Sequence, residues 1–192
     1  MAHSSVLRES GHPQGPSPFR PLVDFYARAG RPFPPMEVLK PEDLPEPFRT
    51  LLVHPEPMTR TLEAFHGGTL DLRVLSREQS DDLYVRHIVL CLHEGGGPVE
   101  FGSIRLDLSA FAPALRERIL AEQAPLGRIL EEHQVVHTSR PRAFFRIDAD
   151  TLLASTLQVE VRRTLFGRCN QLIAPDGRSL AEIVEIVSGA GS

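Results

Sequence analysis

The sequence predicts an α+β fold with a single antiparallel six-stranded sheet and helices covering one face. Three observations carry that expectation. Several segments alternate apolar and polar residues at every second position and are joined by tight turns, the pattern of antiparallel pairing. Two other regions repeat at helical spacing, one ahead of the strands and one between them. The chain has 192 residues, 41% hydrophobic and 24% charged. That is enough to bury a core without a metal or a disulfide framework.

The elements follow in order. Twelve of the 17 prolines fall in the first 57 residues. Residues 1–21 are rich in Pro, Gly and Ser and poor in large apolar groups, so they are expected as a disordered arm, with residues 22–192 as the domain. Residues 22–41, with the step Pro34-Pro35, are expected to lie across the domain surface. Leu44, Phe48, Leu51 and Leu52 form one helical stripe, and Met58, Leu62 and Phe65 another, which Gly67-Gly68 ends. Strands are expected near 69–76, 82–94 and 98–108, with Gly95-Gly96-Gly97 closing a hairpin. Helical stretches follow at 109–123, with Ser109 as cap, and at 125–133, with Pro125 in the first turn. Residues 135–147, 157–174 and 179–187 complete the sheet, and Pro175-Asp176-Gly177-Arg178 supplies the last turn.

Composition excludes several classes. The formal net charge is −4, against the basic balance of a general nucleic-acid binder. The chain holds 20 Arg and one Lys, Lys40, so a lone Arg needs its context before it signifies anything. No run of 18 apolar residues offers a membrane span, and Met1 to Pro21 lacks the apolar core of a signal peptide. Cys91 and Cys169 make no disulfide framework, so the expected location is the cytoplasm. The sequence does not indicate an oligomeric state.

Common chemical motifs are absent. His133 and His137 have zinc-helix spacing, but no Glu follows the first, and Val135-Val136 reads as the start of a strand. There is no G-x-S-x-G, Cys91 sits among apolar neighbours, and GGGPVEFG has no following helix to cradle a phosphate. No metal or cofactor is expected. What stands out is charge on apolar strand faces. Arg86 shares a row with Tyr84, Ile88, Leu90 and Leu92. Glu182 and Glu185 lie on opposite faces of a short C-terminal strand, so at least one points at a covered face. Such groups form a buried Arg–Glu pair, occupy exposed edge positions, or line a pocket that grips a carboxylate.

These residues carry a family resemblance. Met58-Thr59, the strand Tyr84-Val85-Arg86-His87-Ile88-Val89-Leu90, the segment Pro125-Leu126-Gly127-Arg128-Ile129-Leu130, Leu165-Phe166-Gly167-Arg168 and Glu185-Ile186-Val187 occur in the order found in the chorismate pyruvate-lyase family. The chain resembles that family from about Pro57 to Ile186. The resemblance implies a six-stranded antiparallel sheet with an internal ligand site under two helical flaps, and conversion of chorismate to 4-hydroxybenzoate and pyruvate without metal or cofactor. Arg86 would bind the ring carboxylate and Glu185 would meet the hydroxyl side. Met58, Thr59, Leu126 and Gly127 would line the flaps, with Arg168 contributing to the site. The family has an Arg directly after the Gly of the returning strand. Here Ser103 follows Gly102, and Arg105 is the substitute on the same face. The spacing from Gly177 leaves Glu182 in competition with Glu185. The alternative to a lyase is a non-catalytic protein that binds an aromatic acid or a related small carboxylate on the same fold.

Overall fold

The computed structural model describes residues 17–93 and 95–189. Most of the expected arm, residues 1–16, lies outside them. Residues 17–21 form a turn and enter the first helix, α1 (Arg20–Arg28). Then come β1 (Met36–Leu39), α2 (Phe48–Leu52), α3 (Met58–His66), β2 (Leu70–Ser80), β3 (Leu83–Leu92) and β4 (Pro98–Asp107). The second half holds α4 (Pro113–Leu120), α5 (Leu126–Glu132), β5 (Thr138–Asp148), α6 (Thr151–Leu157), β6 (Thr164–Ile173) and β7 (Ser179–Val187). The strands form one sheet in the order β1-β5-β6-β7-β4-β3-β2, with every neighbouring pair antiparallel. Among the described residues, no helix is long and apolar enough to cross a membrane.

The α+β class and the antiparallel sheet are as the sequence predicts, with two additions. The sheet has a seventh strand, β1, pairing Met36 with Ile147 and Leu39 with Phe144. Four residues after a Pro-Pro step give too little alternation to announce a strand. Helices also cover both faces, not one. On one face α2 to α5 enclose a core that includes Leu52, Leu62, Ile104, Ile129 and Leu130. On the other, Leu22, Phe25 and Tyr26 of α1 pack with Leu153 and Leu157 of α6 onto Phe101, Phe145, Val184 and Ile186. The 22, 25, 26 spacing is an amphipathic stripe, hidden from a sequence reading by the proline-rich stretch in front of it.

Three boundaries move for local reasons. The strand expected over 157–174 starts at Thr164. Before it, Gln158 and Arg162 adopt left-handed φ values of 54° and 71°, which extended backbone does not allow. Ser109 does not cap a long helix. It lies in a short 3-10 turn, where its backbone N–H donates to the Asp107 carboxylate, and α4 begins later, at Pro113. Asp150 caps α6, accepting from the backbone N–H groups of Leu152 and Leu153 at 3.0 and 2.9 Å. One glycine is required by close approach. A Cβ on Gly167 would lie 2.5 Å from both the Glu185 carbonyl oxygen and the Phe145 ring.

Candidate functional site

Helices α3 and α5 roof a cavity whose floor is the central sheet. The space open to the centre of a water molecule is about 60 Å³. Both roof helices begin after a proline, Pro57 or Pro125, held in extended geometry. That puts Met58, Thr59, Leu126 and Gly127 at the cavity lining. Gly127 allows the two helix starts to meet, since a Cβ there would lie 3.2 Å from Pro57 Cβ. Glu63 clips the roof to the sheet. Its Oε1 accepts from Arg128 of α5 and from the backbone N–H of Leu70 in β2.

Strand alternation sets the floor. Ile88, Ile104 and Ile183 give it an apolar centre. Glu100, Glu185, Arg168 and Asn170 add polar groups from β4, β7 and β6. Arg168 is fully buried. Its Nε donates to Glu185 Oε2, and its Nη1 donates to the carbonyl oxygens of Leu52 and His54 at 3.1 and 2.9 Å. Arg168 therefore ties the segment after α2 to the floor. Burial lowers the pKa of His54, and the Arg168 charge adds to the effect. Arg168 Nη2 has no protein partner among the described residues.

Glu100 was not among the residues singled out from sequence. It is 3% exposed, it lines the cavity, and its Oε2 has no hydrogen-bond partner among the described residues. Burial raises its pKa well above the ordinary carboxylate range, the neighbouring Glu185 adds to the rise, and the Arg168 charge only partly opposes it. The available signal was a lone carboxylate between Val99 and Phe101 in a strand interior, but sequence does not show whether its face is covered.

The other expected residues separate by face. Glu185 lines the cavity. Glu182 and Arg105 lie on the opposite side of the sheet, where Arg105 reaches Asp24 of α1 at 3.0 Å and Glu182 at 3.5 Å. Arg105 therefore anchors α1 and is not beside the cavity, because period-two alternation sends residues 103 and 105 away from residues 102 and 104. Ser103 pairs with His87 in the β3–β4 register. His137 lines the cavity, whereas His133 ends α5, and the described residues contain no group of three potential metal ligands.

Arg86 lies beside the cavity rather than in its lining. It pairs with Ile104 and precedes Ile88 by two residues on the same face, and both isoleucines are lining residues. It is 0% exposed, and Nε, Nη1 and Nη2 make no hydrogen bond of good geometry among the described residues, although the Tyr84 hydroxyl stands near enough to act on the guanidinium. Burial lowers its pKa, and the charges of Tyr84 and Glu122 oppose that shift. Tyr84 and Arg77 both donate to Glu122, so that carboxylate is shared among several groups.

Solved structures with this arrangement place the fold. PhnF from Mycobacterium smegmatis aligns with a TM-score of 0.56 at 14% identity, covering 71% of this chain and 65% of PhnF. The effector domain of PhnF alone aligns at 0.54 and 14% identity, covering 71% of this chain and 90% of that domain. Gene product SA0254 from Staphylococcus aureus N315 aligns at 0.50 and 8% identity, covering 62% and 82%. This chain has the fold of those domains. The chain thus spans just under two-thirds of full-length PhnF. No protein-family model matches the chain, and no curated protein matches it in sequence.

These likenesses overturn the expectation of an enzyme. One of the matched structures is an effector domain, that of PhnF, and the fold it shares with this chain does not lead to a lyase acting on chorismate to release pyruvate. The electrostatics of the floor agree. Chorismate is a dianion, and the cavity lining holds three carboxylates, Glu56, Glu100 and Glu185, with its one lining Arg, Arg168, already engaged by Glu185 through Nε.

Proposed function

We propose that this chain is a non-catalytic effector-binding domain that holds a small carboxylate-bearing molecule, in the simplest case an aromatic acid, between the α3–α5 roof and the sheet. One observation carries the reading: buried polar atoms in and beside the cavity have no hydrogen-bond partner of good geometry among the described residues, namely the Arg86 guanidinium, Arg168 Nη2 and Glu100 Oε2. Leaving such groups unmade is costly, so a bound molecule or ordered water that completes them is favoured. The effector-domain likeness supports the same reading.

In this reading Arg86 anchors the ligand carboxylate through its planar fork, and Glu185, held by Arg168, lies toward the ligand's far end. Two strand spacings and two residues separate Arg86 from Glu185 in the β3–β4–β7 register, about 12 Å between Cα atoms. Two long side chains and one ring fill that span. Met58, Thr59, Leu126 and Gly127 close over the ring.

Thermal unfolding with and without 4-hydroxybenzoate tests the proposal. At 100 times its dissociation constant a ligand adds about 2.7 kcal/mol, so the melting temperature rises by roughly 5–10 °C. Chorismate incubated with the protein is recovered unchanged. No thermal shift with any small carboxylate overturns the ligand class, and formation of 4-hydroxybenzoate from chorismate overturns the non-catalytic reading.

A further inference from the structure

The cavity floor holds two carboxylates but a cation for only one of them. Glu185 of β7 receives the Arg168 Nε hydrogen bond. Glu100 of β4 has no ion pair among the described residues, although it is almost completely buried. The register places Gly102 opposite Glu185, two residues from Glu100 on the same face. The missing Cβ of Gly102 leaves Glu100 Oε1 within 3.5 Å of that position. Two carboxylates sharing one dry site do not both ionise, and the one without the cation keeps the proton.

We propose that Glu100 is the specificity-determining residue of this cavity, a neutral carboxylic acid that donates a hydrogen bond to an oxygen on the ligand end opposite its carboxylate. The site therefore selects acids with a distal hydroxyl or carbonyl and rejects acids with a distal ammonium. This inference rests on the small-carboxylate reading above. The charged or titratable groups around Glu100 are Glu185 and Arg168 on the floor, and Glu56 and His137 at the lining. His54 stands behind Arg168, its carbonyl oxygen accepting from Nη1. Burial holds His54 toward its neutral form, so it offers Glu100 no compensating charge at neutral pH. Arg168 is committed to Glu185 and two carbonyl oxygens.

Calorimetric titration of the full chain with 4-hydroxybenzoate, benzoate and 4-(aminomethyl)benzoate, from about pH 5 to pH 9, tests the assignment. The hydroxy acid is expected to bind at least about tenfold tighter than the aminomethyl acid. Its affinity falls as pH rises and Glu100 loses its proton. Glu100→Gln keeps a donor of the same shape, so it holds 4-hydroxybenzoate within about threefold and removes that pH dependence. Preference for the aminomethyl acid, with affinity rising with pH, overturns the proposal. If none of the three binds, the small-carboxylate reading fails, and the Glu100 proton is decided separately on the ligand-free chain. There, a raised folded-state pKa means the native protein retains a proton that the unfolded chain releases. Wild-type stability then falls relative to Glu100→Gln as pH rises from about 5 to 9. Parallel stability curves for the two proteins overturn the proposal.

Discussion

Under the proposed function, Arg86 separates the contribution of a residue to stability from its contribution to binding. A guanidinium with no exposed surface and no hydrogen bond of good geometry among the described residues is a net burden on the ligand-free fold. Replacing buried charge with an apolar side chain of similar volume is often neutral or stabilising, by about 1–4 kcal/mol at the upper end. Arg86→Met is therefore expected to raise the melting temperature of the ligand-free protein and to abolish the shift caused by 4-hydroxybenzoate. Thermal scans of both proteins with and without the acid check this. A large loss of ligand-free stability would show that Tyr84 and Glu122 already balance the charge and that Arg86 is structural. Glu185 contrasts with it, because its partner Arg168 comes from the adjacent strand at the opposing register position.

At the scale of elements, α1 gives the sheet its second face, and its contact with β3 is sensitive to acid. Phe25 packs on the His87 ring at a centroid distance of 4.7 Å. Ser76 Oγ lies 2.8 Å from His87 Nδ1. Burial and the Arg28 charge push the His87 pKa down to about 4. The unfolded chain therefore takes up a proton at this position near pH 6.5, while the folded chain resists until about pH 4. Stability contributed here is complete above pH 6.5, is lost as pH falls through that window, and changes no further below it. The loss is at most about 3 kcal/mol. Denaturant unfolding of wild type and His87→Phe between these limits should show a sloped curve for the first and a flatter one for the second. Equal slopes would mean that the ring is already solvated.

For the whole molecule, the sheet divides two cores whose mutations should act independently. Leu22 is fully buried in the α1–α6 layer, and the cavity lies across the sheet from it. Leu22→Ala leaves a void and should cost about 2–5 kcal/mol. Ligand affinity should stay within a few-fold, since sites with no shared partners behave additively. Urea unfolding and calorimetric binding measured on the same variant check both halves. A binding loss as large as the stability loss would show that the sheet transmits strain between its faces. Helices on both faces also explain why β3, β4 and β7 are buried on both sides, as central strands are.

Period-two alternation and turn chemistry were sufficient for the class, the antiparallel pairing and most strand positions, because both are local properties of the chain. The strand Ser179–Val187 and the hairpin at Gly177, whose φ is +86°, are read directly from residues next to each other in sequence. Alternation also placed Glu182 and Glu185 on opposite faces. It could not say which face lay under α3 and α5, since that depends on helices far away in the sequence. The same limit hid Glu100, whose burial depends on β7 and the roof, and it hid β1, which is a strand only because β5 runs beside it. A period of two assigns residues to faces, and only tertiary packing decides which face is dry, which charge finds a partner there and which is left for a ligand.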